Sequence, residues 1–280
     1  MKKLRVTKAS GVKVFFSEHK LRKSLEKVGA DDKLIDFIIA QVVTHAEDGL
    51  STASIYRKAY ALLNKTKQSI AARYKLKNAI IELGPTGYPF EQYVGAILRA
   101  NHYDVSVSQI VTGRCLSHEV DVIAENSDHH FMVECKFHNR SGIKSDVKIP
   151  LYIHSRFLDI KAVWEKLPGH HTKLHQGWIV TNTRFTLDAE QYGECQGLHL
   201  VSWDGPPQKA LKDMFEKTGL HPVTSLPGMS KKEKRVLIDH GVVLCNKLCE
   251  DPHILSELPL NNRSKDKILK TAHELCDYNP

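Results

Sequence analysis

Glu119-Val120-Asp121-Val122-Ile123 is followed, after a short polar break at Glu125–His129, by Phe131-Met132-Val133-Glu134-Cys135-Lys136-Phe137. Polar and apolar residues alternate with period two in both stretches, which predicts two β-strands. In the first strand Glu119 and Asp121 share one face and Val120 and Val122 the other. In the second, Glu134 and Lys136 share a face opposite Val133, Cys135 and Phe137. Charges on a strand otherwise built of core residues carry a desolvation cost, which a bound cation offsets. If the strands pair as neighbours, Asp121 comes beside Glu134 and Lys136. Two carboxylates then hold a hard cation such as Mg²⁺ or Mn²⁺, with open positions for water and a phosphate oxygen. The cation acidifies the water and neutralises charge on the phosphate, while the lysine orients or deprotonates the nucleophile.

Working outward, Phe90, Val94, Ile97 and Leu98 recur at helical spacing and predict a helix over 90–100. Strands are expected at 103–112, 117–125, 130–137, 177–182 and 198–203, with helices from Asp146 to Leu167 and over 186–195. The order α-β-β-β-α-β-α-β implies an α/β architecture, a mixed sheet with helices on both faces. Leu83-Gly84-Pro85-Thr86-Gly87-Tyr88-Pro89 cannot continue a helix and marks a junction. Before it, residues 4–16 read as a β-hairpin turning at Ala9-Ser10-Gly11, and helices follow at 17–28, 32–46, 52–64 and 66–82. After Pro206-Pro207 only helical patterns remain, at 207–218, 230–239, 241–249, 252–258 and 264–277. The expected domains are 1–82, 83–205 and a small all-helical 206–280.

The 280 residues are 41% apolar and 26% charged, with a formal charge of +8. That charge is uneven: 1–82 carries +9, 83–205 carries −3 and 206–280 carries +2. A polyanionic partner such as DNA is the first expectation. No apolar run of signal-peptide length follows Met1-Lys2-Lys3, and no stretch approaches the roughly 20 apolar residues of a membrane span. A cytoplasmic protein without a membrane partner is expected, with its six cysteines reduced. Cys115-x-x-His118 and Cys135-x-x-His138 imitate zinc spacing, but residues three apart on a strand point to opposite faces, which argues against chelation. His118 faces away from Asp121 on a regular strand and reads as a helix-packing side chain. Tyr152 and Arg156, one helical turn apart, could meet a DNA phosphate. His170, His171 and His175 read as solvated loop side chains, and Cys245 and Cys249 as buried thiols.

Asp121-x12-Glu134-x-Lys136 resembles the PD-(D/E)xK nuclease core, and the surrounding element order matches that restriction-endonuclease-like fold. His118-Glu119-Val120-Asp121 with Glu134-Cys135-Lys136 resembles the Mrr-like branch more particularly, although Glu119-Val120 stands where the family name has its proline. The resemblance implies a divalent-metal-dependent DNA endonuclease of restriction or repair type, with Asp121 and Glu134 as metal ligands and Lys136 at the nucleophile. It also implies an accessory acid at Glu91, a further site or phosphate-contacting group at Lys148, and products with 5′-phosphate and 3′-hydroxyl ends. One core holds one site, so cutting both strands calls for a homodimer or two visits.

Residues 1–82 resemble the ATP-cone, a regulatory nucleotide-binding module, through Val6-x-Lys8-x-x-Gly11, Phe16-x-x-x-Lys20-Leu21, Ser51-Thr52-x-x-Ile55 and Ala72-x-Tyr74. The resemblance implies ATP or dATP as effector, held by Lys8, Gly11 and Lys20. The turn reads Lys8-Ala9-Ser10-Gly11 where that family usually has Lys-Arg-(Asp/Asn)-Gly. Pro222 to Gly228, followed by Ser230-x-x-Glu233, resembles the start of a helix–hairpin–helix-like unit, which touches DNA backbone without reading sequence. The alternative function is a non-catalytic, nucleotide-responsive DNA-binding regulator in which the acidic site is a relic.

Overall fold

The computed structural model describes residues 4–8, 11–44 and 48–277. The chain opens with β1 (Arg5–Thr7) and β2 (Lys13–Phe15), an antiparallel hairpin pairing Val6 with Val14. Ala9 and Ser10 of its expected turn lie outside the described residues. Helices α1 (Glu18–Glu26), capped by Ser17, and α2 (Asp32–Thr44) follow. The two-residue strand β3 (Leu50–Ser51) then pairs parallel to β1, an element too short to show in sequence periodicity. Next come α3 (Thr52–Thr66), α4 (Gln68–Tyr74) and α5 (Leu76–Ile81). The single helix expected over 66–82 is broken at Lys75, whose ammonium leaves the helix surface for Glu82 at 2.7 Å and the Thr224 carbonyl at 3.4 Å.

The central layer begins at α6 (Tyr88–Ala100) and continues with β4 (Asp104–Thr112), β5 (Ser117–Glu125), β6 (His129–Lys136), β7 (Lys144–Ser145) and α7 (Lys148–Trp164). It closes with β8 (Leu174–Thr181), β9 (Arg184–Phe185), α8 (Leu187–Cys195) and β10 (His199–Val201). Five of these strands form one sheet in the order β10-β8-β6-β5-β4, antiparallel through β4, β5 and β6 and parallel through β6, β8 and β10. The mixed sheet expected from the element order is present. Apolar residues of α6 at Phe90, Tyr93, Val94, Ile97 and Leu98 cover one face, with Val122, Ala124, Phe131 and Val133 beneath them. A stripe at Ile153, Phe157, Ile160 and Trp164 of α7 covers the other, over Val120 and Met132. Gly95 lets α6 approach β4 closely: a Cβ there would meet Val107 at 3.0 Å.

The rest of the chain is helical: α9 (Leu211–Thr218), a 3₁₀ turn at Val223–Ser225, α10 (Lys231–Asp239), α11 (Cys245–Glu250), a 3₁₀ turn at Pro252–Glu257 and α12 (Asn262–Cys276). The helix expected over 241–249 begins only at Cys245, because Gly241 ends α10 with φ +77° and Val243 accepts the Val223 amide in an extended contact. Side-chain packing crosses both expected junctions. Leu76 and Ile80 of α5, and Leu211 and Phe215 of α9, join the core under α6, while Ala72 of α4 packs into the C-terminal cluster. Among the described residues no helix is long and apolar enough to cross a membrane.

Candidate active site at the fork of two central strands

Strand alternation fails at one place, and the acidic residues meet there. The β4–β5 ladder skips the Ser108–Asp121 pair, and Ser108 adopts φ +53°, a left-handed conformation costing roughly 1–2 kcal/mol for a non-glycine residue. Below the kink Val122 packs toward α6; above it Val120 packs toward α7. The expectation that Val120 and Val122 share a face is therefore overturned, and with it the regular strand that put Glu119 and Asp121 together. The β5–β6 ladder runs from Glu125–His130 to Val122–Val133 and then parts. Asp121 Oδ2 bridges the opening by accepting the Cys135 backbone N–H at 2.7 Å. On β6 the expected alternation holds, with Val133, Cys135 and Phe137 in or against the core under α6.

Glu134 points to the α7 side, where Arg156 donates to its Oε2 at 2.9 Å. The same guanidinium donates to the Glu119 carbonyl and lies 5.4 Å from the Tyr152 ring centre. Its side chain is 12% exposed and that of Glu134 19%, so the expected phosphate-facing arginine is instead turned inward as a clamp on the acid. Tyr152 and Lys148 remain exposed. Glu91, in the first turn of α6, accepts from Ser108 Oγ at 3.3 Å, which ties the accessory acid to the kink.

The electrostatics agree with one shared site. Burial, reinforced by the Asp121 charge, pushes both Glu134 and Glu91 up from 4.5 to about 7. Burial also raises Asp121, with the Cys135 amide, Arg156 and Lys136 pulling it back. Lys136 acts on both Asp121 and Glu134, so the four residues singled out in sequence are brought together. Asp121 Oδ2 and Glu134 Oε2 are each held by a protein donor, and among the described residues the second oxygen of each accepts no hydrogen bond. Carboxylates that resist ionisation because they are buried, with a neighbouring carboxylate adding to the effect, are a donor set that a hard divalent cation relieves.

One neighbour of the site is not legible in the sequence. Asp159 of α7 accepts from the Cys115 and Leu116 amides at 2.8 and 3.3 Å and pairs with His118 Nε2 at 2.8 Å. The His118 bond, with those amides, draws Asp159 down to about 2. His118 is thus the helix-facing side chain expected, and the latch fixes the turn leading into β5. A Cβ on Gly113 would lie 2.2 Å from Asp159 Oδ2. No local signal ties Asp159 to a turn more than forty residues earlier. The histidine loop is also corrected: His175 is buried and His170 half-buried rather than solvated. Cys245 is buried as expected, whereas Cys249 is half-buried with its sulfur 3.6 Å from that of Cys276.

In the front module, Lys8 and Gly11 lie at the β1–β2 turn and Lys20 in the first turn of α1, all exposed. Ser230 and Glu233 form the expected capping box at the start of α10. Beside it a cavity of about 660 Å³ is lined by Lys231, Lys232, Lys234 and Arg235, with Asn139 from the segment just after Lys136.

Residues 221–276 match the family described as AF1548-like, C-terminal. An uncharacterized protein of Archaeoglobus fulgidus is 29% identical over 180 residues, covering 64% of this chain and 97% of that protein. The crystal structure of a protein of unknown function, AF1548, superposes with a TM-score of 0.55 at 29% identity, over 68% of this chain and 98% of the other. About a third of this chain thus lies outside either alignment.

Proposed function

We propose that the chain is a divalent-metal-dependent DNA endonuclease that hydrolyses phosphodiester bonds. The observation that carries this reading is the fork between β5 and β6 beside the kink, where Asp121 is close enough to act on both Glu134 and Glu91, and Lys136 on both Asp121 and Glu134. Asp121 and Glu134 would hold Mg²⁺ or Mn²⁺, each through the oxygen that no donor among the described residues engages. When bound, the cation supplies positive charge to the scissile phosphate and an acidified water. The Cys135 amide orients Asp121, and Arg156 orients Glu134, so both acids are preorganised on strands rather than on mobile loops. The Lys136 ammonium, whose charge acts on both Asp121 and Glu134, would orient the attacking water and balance charge building on the phosphate. Glu91, held near 7, can take up a proton at neutral pH.

DNA would be held largely through its backbone. The exposed Lys231 and Lys232 of α10 and the exposed Lys148 and Tyr152 offer donors away from the acidic residues, whereas Lys234 is buried on the Thr224 carbonyl. The exposed Lys8, Gly11 and Lys20 are the proposed contacts for an ATP or dATP effector. Continuity of the front module with the core, through Leu76, Ile80 and the Lys75–Thr224 contact, gives such an effector a mechanical route to the sheet.

The test is nicking of supercoiled plasmid with Mg²⁺ or Mn²⁺ by the parent, Asp121→Ala and Lys136→Ala. The parent should nick, and each variant should lose about 100-fold or more, the scale of removing one preorganised charge-stabilising group. Undiminished nicking by both variants would remove the site. Tight DNA binding without cleavage under either metal would favour the nucleotide-responsive regulator.

A further inference from the structure

At the opposite end of the same strands stands a second polar cluster that the nuclease reading does not use. Strand register places Glu125, His130 and His175 in one row, with Glu125 opposite His130 and His130 opposite His175. His170 reaches the row from the loop before β8. Its main chain is fixed there by His175, whose Nε2–H donates to the His170 carbonyl at 3.1 Å. His130 is stacked on Trp164 with ring centres 3.7 Å apart and is 4% exposed.

Histidines this buried ordinarily have both ring nitrogens satisfied. Here, among the described residues, the buried Nδ1 atoms of His130, His170 and His175 have no hydrogen-bond partner, so these rings are under-satisfied, and at His130 and His170 it is the other ring nitrogen, Nε2, that faces the Glu125 carboxylate. His130 Nε2 stands 3.8 Å from Glu125 Oε2, beyond hydrogen-bond reach, and His170 Nε2 lies 3.3 Å from Glu125 Oε1. One ligand atom from each of Glu125, His130 and His170 lies within 4.8 Å of the others. Ligands around a tetrahedral ion with bonds of about 2.1 Å are separated by about 3.4 Å. The gaps of 3.3 and 3.8 Å run to the two different oxygens of Glu125, so bringing one carboxylate oxygen and both imidazoles to this spacing, from atoms already within 4.8 Å of one another, takes a side-chain rotation and no movement of the strands.

We infer that Glu125, His130 and His170 form a second metal site, which takes a divalent transition metal of the zinc class. Two imidazoles and one carboxylate favour such an ion over Mg²⁺, whose preferred donors are oxygens. The Lys173 ammonium pairs with Glu125 Oε1 and is the group an ion has to displace. It can do so because Lys173 lies on the surface loop rather than in the sheet. The site is four residues along β5 from Asp121, about 13 Å at strand rise, so it is distinct from the nuclease opening and independent of that reading. Its three ligands join the β5–β6 turn to the loop before β8.

The test uses the full-length chain without an affinity tag, stripped with chelator, in an Asp121→Asn/Glu134→Gln background that removes the acidic site. Cobalt(II) is titrated by visible absorption and zinc(II) by calorimetry. One cobalt per chain should bind with the intense ligand-field bands of four-coordination, and His170→Gln should abolish them while the far-ultraviolet circular dichroism is unchanged. Lys173→Met should tighten binding about tenfold, by removing a competing cation from the carboxylate. Absence of both bands and heat in the background chain would overturn the inference. Cobalt affinity that is the same in the background chain, His170→Gln and Lys173→Met would overturn it equally.

Discussion

Replacing Glu134 by glutamine should make the metal-free protein more stable at pH 8 while destroying the proposed activity. Glu134 has an ordinary value of 4.5 and is pushed to about 7 by burial and by Asp121. A carboxyl raised in this way contributes stability that is full below 4.5 and is lost as pH rises through 7, since the unfolded chain releases its proton first. The gap between 4.5 and about 7 corresponds to about 3 kcal/mol. The side chain is only 19% exposed, so solvent screening removes little of this. Glutamine stands in for the protonated acid at every pH. It should therefore match the parent at pH 4.5 and exceed it by about 3 kcal/mol at pH 8, or roughly 6–12 °C in Tm for a chain of this size. Thermal unfolding followed by circular dichroism in chelator, at half-unit steps of pH, measures both limits. Adding Mg²⁺ or Mn²⁺ should restore the parent and leave the variant unmoved. A Tm difference that does not change with pH, or a variant less stable than the parent at pH 8, refutes the reasoning.

Arg156→Met removes the cation that holds Glu134 and the Glu119 carbonyl, so plasmid nicking should fall by roughly 10- to 100-fold as the carboxylate loses its fixed position; an unchanged rate would detach Arg156 from the site. Gly113→Ala drives a methyl into Asp159 and the Leu116 carbonyl and should cost about 2 kcal/mol, read as a lower Tm, whereas a neutral result would mean the latch is slack. Asp159, held near 2 by His118, contributes stability that is present above its ordinary 3.8 and lost as pH falls toward 2. Asp159→Asn should therefore lower Tm at pH 7 and narrow the difference by pH 2. Isothermal titration with ATP and dATP should give heat with the parent and none with Lys8→Ala/Lys20→Ala; silence from the parent removes the effector.

Much of the architecture is legible locally because it rests on short-range periodicity. The stripes at 90–98 and 153–164 and the alternation at 131–137 each follow from a helix period or a pleat, and they fall where the sequence puts them. The mixed sheet follows in turn from strand and helix order. Elements defined by distant partners are not legible: β3 is recognisable only by its pairing with β1, and α4 and α5 part at Lys75, whose ammonium meets Glu82 and a carbonyl 149 residues away. The junctions at 83 and 206 are composition breaks, yet packing ignores them, since apolar side chains bury against whatever surface is nearest.

By itself the sequence singled out the residues proposed to carry the chemistry: an acid on one strand, an acid and a lysine on the next, and an acid on the helix before them. Tertiary structure alone decided how they meet. The left-handed Ser108 reverses the faces of β4 and β5 at Asp121, which no pattern of residue types encodes, because alternation assumes an unbroken ladder. The same holds for Arg156 against Glu134 and for the row from Glu125 to His175. Side chains far apart in the chain become neighbours only when strand register and helix packing fix them, and burial then sets the charge each can carry.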